Sequence, residues 1–446
     1  MKKYEAYKNS GIEWIGNIPE EWTVVPLKYC LSLKGRIGWN GLKSEEFQDK
    51  SYAYLVTGQD FNSNVVNWEK CYQINKERYD EDPYIQLENG DLLVTKDGTI
   101  GKVAKVVNLD KPACLNSGIF VLKQTKGMFE LNFLYWLLAS NQLKEFVGFN
   151  STGSTIAHLY QNVFENMPLI VPSLVEQQAI AFYLDCKISQ VDASVFEINT
   201  QIDDLKAYRQ SIINEVVTKG LNPNVKMKHS GIEWIGEMPE YWDCTKLGWL
   251  YPNMGSGTTP DTNNLNYYSE NGYNWLQTGD LNDGVITETS KHITNLAVNE
   301  RGMKIYPNGS VVIAMYGATI GKVGLLSIDT TVNQACCVLP LMENIYNRYT
   351  FYVMQTSKMA LISKSVGGGQ PNVSQAIIKE HKIPVPPLNE QQAIVSYLDS
   401  MTSKIDSAIQ TLSLQRDELN ALKQSIISEA VTGKIDVREW KQNIEQ

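Results

Sequence analysis

No stretch of this 446-residue chain approaches the roughly 20 consecutive apolar residues that a membrane-spanning helix needs. Histidine is scarce. His158, His229, His292 and His381 are scattered, with no H-E-x-x-H pair and no cysteine at metal-ligand spacing. The seven cysteines form no C-x-x-C, and only Cys336 and Cys337 adjoin, which points to a reducing compartment. The basic start MKKYEAYKNSG carries no signal peptide, so a soluble, cytoplasmic chain is expected. Positive charge is not in excess either: the net charge of −9 argues mildly against a nucleic-acid partner. A local cleft can still be positive on an acidic chain.

What is present is repetition. SGIEWIGNIPEEW, from Ser10 to Trp22, returns as SGIEWIGEMPEYW from Ser230 to Trp242. A longer block from Glu176 to Gly220, opening EQQAI, aligns without a gap with Glu390 to Lys434, and TIGKV at Thr99–Val103 recurs at Thr319–Val323. The chain is built twice, which settles its organisation before any local reading. Hydrophobic residues at 43% and charged residues at 20% are ordinary globular values, and the length suggests about two to four domains. The boundaries read as 1–175 for a first domain, 176–220 for a first long helix, 221–389 for a second domain, and 390–446 for a second long helix with its tail.

In the first helical block Ile180, Leu184, Ile188, Val191, Val195, Ile198, Ile202, Leu205, Ile212 and Val216 fall on three-four spacing. Ile394, Leu398, Ile405, Ile409, Leu412, Leu419 and Ile426 do so in the second, interrupted by Thr402 and Arg416. A narrow stripe sustained over several heptads is the coiled-coil pattern. Gly220 and Gly433 stand where the helices should stop, and each helix would reach roughly 65 Å. The economical arrangement packs the two stripes against each other, antiparallel and within one chain, with Arg416 needing a neighbour of a different kind. The domains themselves read as strands (YAYLVTG, GDLLVT, GKVAKVV and GIFVL, then NWLQTGDL, SVVIAMYG, GKVGLL and QACCVLPL) followed by helical FELNFLYWLLASNQLKEFV and NRYTFYVMQTSKMALISKSV. Each half is therefore α+β. The pairs Trp14/Trp22 and Trp234/Trp242 read as packing anchors.

Catalytic motifs fail on inspection. No G-x-G-x-x-G opens a helix, and TIGKV lacks the loop length and trailing Ser/Thr of a phosphate-binding loop. EDPYIQ, around Asp82–Tyr84, is one proline short of the D-P-P-Y of adenine methyltransferases, and Glu380 with Lys382 lacks the Pro-Asp of a nuclease triplet. A two-site enzyme should repeat its reacting groups, whereas this repeat keeps frame and varies the interior. That suits one frame holding two different readers, or else a non-catalytic coiled-coil scaffold that binds proteins.

The doubled I-x-W-I-G-x-x-P-x-x-W entry, T-I-G-K-V after an apolar strand, IPVPPLNEQQAI (Ile383–Ile394) and a long helix ending KQSIISEAVTGK resemble the specificity subunit of type I restriction–modification systems. The resemblance covers almost the whole chain; the first half departs from it only in LIVPSLVEQQAI, which lacks one proline. It implies two target recognition domains in a pseudo-twofold repeat, joined by two long antiparallel helices that form a coiled coil. Each domain would read one half of a bipartite site in double-stranded DNA. The helices would set the gap and dock two modification subunits through outward faces rich in Glu, Gln and Asp.

On that resemblance this chain catalyses nothing and holds no cofactor or metal. S-adenosylmethionine belongs to the modification subunits, and ATP with Mg to restriction subunits of the full complex. DNA readers place Arg, Lys, Asn and Gln at base edges and Lys, Ser and Thr at phosphates. The candidates are Lys34 and Arg36 in SLKGRIGWNG, Lys96, Thr99 and Lys102 around the DGTIG turn, and Ser154 and Thr155. In the second half they are Ser256, Thr258 and Thr259 in GSGTTP, Tyr316, Thr319 and Lys322, and Gln370 with Asn372.

Overall fold

The computed structural model describes residues 2–36, 42–62, 64–150, 158–365 and 372–440. It forms two compact units, one of Met1–Asn199 with Leu414–Gln446, the other of Thr200–Ser413.

In the first unit a six-stranded sheet runs in the order Leu31–Gly35, Ile119–Gln124, Leu92–Thr95, Val103–Lys105, Val65–Val66, Phe61–Asn62. Its middle strands are antiparallel, with Ile119 opposite Thr95 and Val103 opposite Val94. Side chains alternate across a strand, and both faces are used. Leu92, Val94, Val103, Phe120 and Leu122 bury against Phe133, Leu134, Leu137 and Phe146. Leu93, Ala104, Ile119 and Val121 turn the other way, onto Leu55, Val56, Cys114 and Leu115. Burial on both faces explains why these strands read as unbroken apolar runs.

The second unit repeats the plan. A sheet ordered Gly255–Ser256, Cys336–Leu339, Val311–Ala314, Val323–Leu326, Gly284–Ile286 sends Val311, Ile313, Val323, Leu325, Cys337 and Leu339 toward Tyr349 and Val353. Val312, Ala314, Leu326, Cys336 and Val338 line a smaller core on the opposite face. Each expected helical stretch is in fact two helices, Leu131–Ala139 with Asn141–Asn150, and Asn347–Thr356 with Lys358–Ile362. A serine sits at both breaks. Ser140 Oγ donates to Leu137 O at 2.6 Å and accepts from Gln142 N, a local bond that competes with the helical ladder.

The long helices span Leu174–Lys219 and Leu388–Val431. Both are followed by a left-handed glycine, Gly220 at φ +77° and Gly433 at φ +69°, a conformation a side chain would strain. Within the first unit Lys423 meets Asp192 at 2.5 Å, while Trp440 lies against Tyr183. Within the second, Arg209 meets Asp406 at 2.9 Å, while Gly220 approaches Glu390. In both units one helix therefore runs against the other in opposite directions, as the stripes implied. The Arg416 guanidinium bonds the adjacent Asp417.

The repeated motifs are the joints between helix and domain. Trp22 and Trp242 are fully buried. Trp22 Nε1 donates to Glu176 at 3.2 Å, and Trp242 Nε1 to Glu390 at 3.1 Å. The next residue, Gln177, accepts from Glu130 N and donates to Met128 O and Pro172 O. Gln391 accepts from Tyr346 N and donates to Pro386 O. Asp185 holds Trp136 Nε1 at 2.8 Å, and Asp399 holds Tyr352 and Arg348. Glu176, Gln177 and Gln391 are thus buried ties rather than outward docking groups. Trp14 and Trp234 are half-buried anchors against Phe146 and His381.

Candidate nucleic-acid interface

At one end of each main sheet main-chain bonds gather four segments of the chain. In the first unit the hairpin after Leu92–Thr95 closes with Thr95 N donating to Lys102 O at 3.0 Å and Gly101 N to Thr95 O at 2.9 Å. Gly98 and Gly101 adopt φ +67° and +83° there, which lets the turn reverse without strain. Thr95 Oγ1 braces it, donating to Thr99 O and accepting from Lys102 N. Lys96 N then donates to Gly118 O at 2.9 Å, and Leu159 N to Lys96 O at 3.1 Å. The strand Leu31–Gly35 ends beside this edge, with Gly35 opposite Phe120.

The second unit reproduces the arrangement with other residues. Ala314 N donates to Lys322 O, and Gly321 N, at φ +73°, donates to Ala314 O. Met315 N donates to Ala335 O and Val373 N to Met315 O, both at 2.8 Å. Gly257 N and Thr258 N bond Asn333 O and Val332 O.

Most of the expected contact residues lie on these edges. Lys34 is exposed, its Nζ 5.9 Å from the Tyr84 ring. Lys96 is half-buried over Phe120 at 4.9 Å, and Thr99 and Lys102 are exposed. In the second unit Thr258 is exposed, and its carbonyl accepts from Trp275 Nε1 at 3.3 Å. The Thr259 hydroxyl bonds Gln334, Ser256 pairs with Cys337, and half-buried Tyr316 bridges to exposed Asn372. Thr319 and Lys322 close the hairpin through a main-chain bond of 2.9 Å. Beside Thr259 opens a groove of ≈ 830 Å³ whose walls include Tyr268, Trp275, Gln277, Lys291 and His292.

Arg36 departs from expectation. It is 2% exposed, donating Nε to Leu115 O at 3.0 Å and Nη2 to Cys114 Sγ at 3.5 Å. Its guanidinium faces the smaller core, where it satisfies groups at the end of a neighbouring strand. Ser154, Thr155 and Gln370 lie outside the described residues.

Sequence reasoning missed the Asn116-Ser117-Gly118 and Asn333-Gln334-Ala335 turns, which complete the two edges. Their only common letter is the asparagine after each strand. It also missed a polar pair in the first unit: His158 Nδ1 lies in ion-pair contact with Asp97 Oδ1, and the imidazole packs against Tyr160 at 4.7 Å in a T-shaped arrangement.

Burial pushes the Cys30 and Cys114 thiols up to about 11 and Cys71 to about 12, away from thiolate nucleophiles. Among the described residues no group of three or more His, Cys, Asp or Glu could hold a metal ion, and no helix is long and apolar enough to cross a membrane. What the edges present is a mixture of lysines, hydroxyls and amides on rigid hairpins.

The model of the type I restriction modification DNA specificity domain matches residues 19–205 and again residues 239–413, once in each half. The chain belongs to that family. Its role is DNA sequence recognition. The chain is 27% identical over 433 residues to the MjaVIII type I restriction enzyme specificity subunit of Methanocaldococcus jannaschii, covering 94% of each. To the EcoKI specificity subunit of Escherichia coli K12 it is 19% identical over 440 residues, covering 96% of this chain and 91% of that one. A solved chain from work on complex assembly and conformational transition of the type I R-M system superposes with a TM-score of 0.71 at 19% identity, covering 94% and 99%. At that identity the likeness is one of fold.

Proposed function

We propose that each of the two edges contacts one half of a bipartite duplex target, the first unit reading one half-site and the second the other. The observation that carries this reading is the duplication itself. The main-chain scaffold of the edge is repeated, while the side chains it displays differ. Identical readers would favour a symmetric target, and different readers an asymmetric one. Lys34, Lys96 and Lys102 supply phosphate contacts that fix register in the first unit. Thr258, Gln334 and Asn372 supply donors and acceptors for base edges in the second.

On the same proposal the paired helices set the unread gap and dock two modification subunits, with restriction subunits joining in the full complex. Methyl transfer would use S-adenosylmethionine held by the modification subunits, with ATP and Mg serving the restriction subunits. This chain's residues would position DNA and carry no reacting group.

The test is exchange of residues 1–175 with those of another specificity subunit, followed by mapping of methylated positions in the host genome. One half-site should change while the other and the gap persist. Change in both half-sites, or in neither, defeats the proposal.

A further inference from the structure

We infer that His158, held by Asp97, is a specificity-determining residue of the first edge, presenting a hydrogen-bond acceptor to an exocyclic amino group of adenine or cytosine in the major groove. The inference rests on the first edge being a DNA reader and names what one of its side chains reads.

Asp97 lies in the hairpin between Thr95 and Lys102, next to the Lys96 main chain that bonds both Gly118 and Leu159. His158 is the neighbour of Leu159 on the adjoining segment. The two side chains are joined through Nδ1 and Oδ1, and both stay partly open to solvent, at 36% and 44%. Tyr160, 61% exposed, packs against the imidazole with ring centroids 4.7 Å apart in a T-shaped arrangement.

The chemistry follows from what each group can do. An ionised carboxylate only accepts, so the nitrogen facing Asp97 carries the proton. A neutral imidazole has one N–H, and with that proton spent on Nδ1 the Nε2 lone pair is left as an acceptor. In the major groove the donors are adenine N6 and cytosine N4, whereas guanine and thymine offer acceptors at the corresponding place. A lysine at the same position would choose the opposite way. The hairpin supplies a fixed partner for the ring, which gives the base contact a defined direction rather than a freely flipping one.

The test uses the full chain assembled with its modification subunits at pH 8. The duplexes carry the target identified by methylation mapping, with single base-pair substitutions through the first half-site. The wild type should require adenine or cytosine at one position. His158→Ala and His158→Gln should lower discrimination there by about tenfold, the scale of a single lost base contact, leaving the second half-site unaltered. Asp97→Asn should shift preference at that position toward guanine or thymine, because an asparagine amide can donate to Nδ1 and leave the proton on Nε2. A role confined to packing would not reverse a preference.

Intact discrimination at the second half-site reports that each variant folds and assembles, and the glutamine variant serves where the alanine variant does not. The inference is overturned if both His158 variants discriminate as the wild type does, or if all duplexes weaken equally, as a phosphate contact would produce. It is overturned too if the relaxed position had required guanine or thymine. The exchange of residues 1–175, run alongside, separates the levels. An exchange that leaves the first half-site in place defeats the reader assignment, whereas a successful exchange with unaltered His158 variants defeats only this contact.

Discussion

His381 makes a sharp prediction about stability. Its imidazole is fully buried, stacked on Trp234 at 5.7 Å and 13°, with neither ring nitrogen hydrogen-bonded. Burial first, and the nearby Lys364 charge second, drive it down from 6.5 to about 4. As pH falls below 6.5 the unfolded chain takes up a proton that the folded one refuses, so stability is full above 6.5 and drains away toward 4. At pH 5 the loss spans roughly 1.5 pH units at about 1.4 kcal/mol each, or ~2 kcal/mol from this one group.

The first unit supplies the control, because Met167 occupies the equivalent position, also buried, at 1% exposure. His381→Met should therefore cost little at pH 8 and remove ~2 kcal/mol of the acid sensitivity between pH 7 and 5. Urea unfolding of the full chain, wild type against variant, at pH 8, 6.5 and 5 reads this directly; titrations elsewhere are common to both chains and cancel. If the two proteins lose stability in parallel as the pH falls, the imidazole is not refusing a proton and the reasoning is wrong.

Other ties in the fold are open to test. Gly433→Ala should lower the unfolding temperature strongly, since the added Cβ would stand 2.4 Å from Pro19 Cδ in a backbone already at φ +69°. Gly220→Ala meets Trp242 only at 3.0 Å and should cost less. Glu176→Leu should leave the buried Trp22 Nε1 without its acceptor and destabilise the first unit by about 1–3 kcal/mol, measured by thermal unfolding. For Asp192 and Lys423, a double-mutant cycle of single alanines and their combination should give a coupling of about 1 kcal/mol or less that fades with salt, because Asp192 is half-exposed.

The frame was legible because its signals are periodic or duplicated. The stripes led to two paired helices, the glycines to their ends, and the tryptophans to buried anchors. What resisted reading were polar residues whose partners lie far along the chain. Gln177 looks like a solvated helix residue until Glu130 and Met128 are seen to meet it. Arg36 sits among glycines like a loop cation, yet the strand carries it inward to Leu115. At the edges, the matched TIGKV revealed the hairpins. The turns at Asn116 and Asn333 share only their asparagine, so the repeat gives no sign of them.

The ties at Lys96 and Met315 come from amide nitrogens and carbonyl oxygens, so they make no demand on the side chain attached, proline excepted. The side chains at those two positions can therefore drift through most of the amino-acid alphabet while the hairpin, turned by its left-handed glycines, keeps its shape. If the edges read DNA as proposed, a new target word needs only point changes at such positions, and the joints at Trp22 and Trp242 stay as they are.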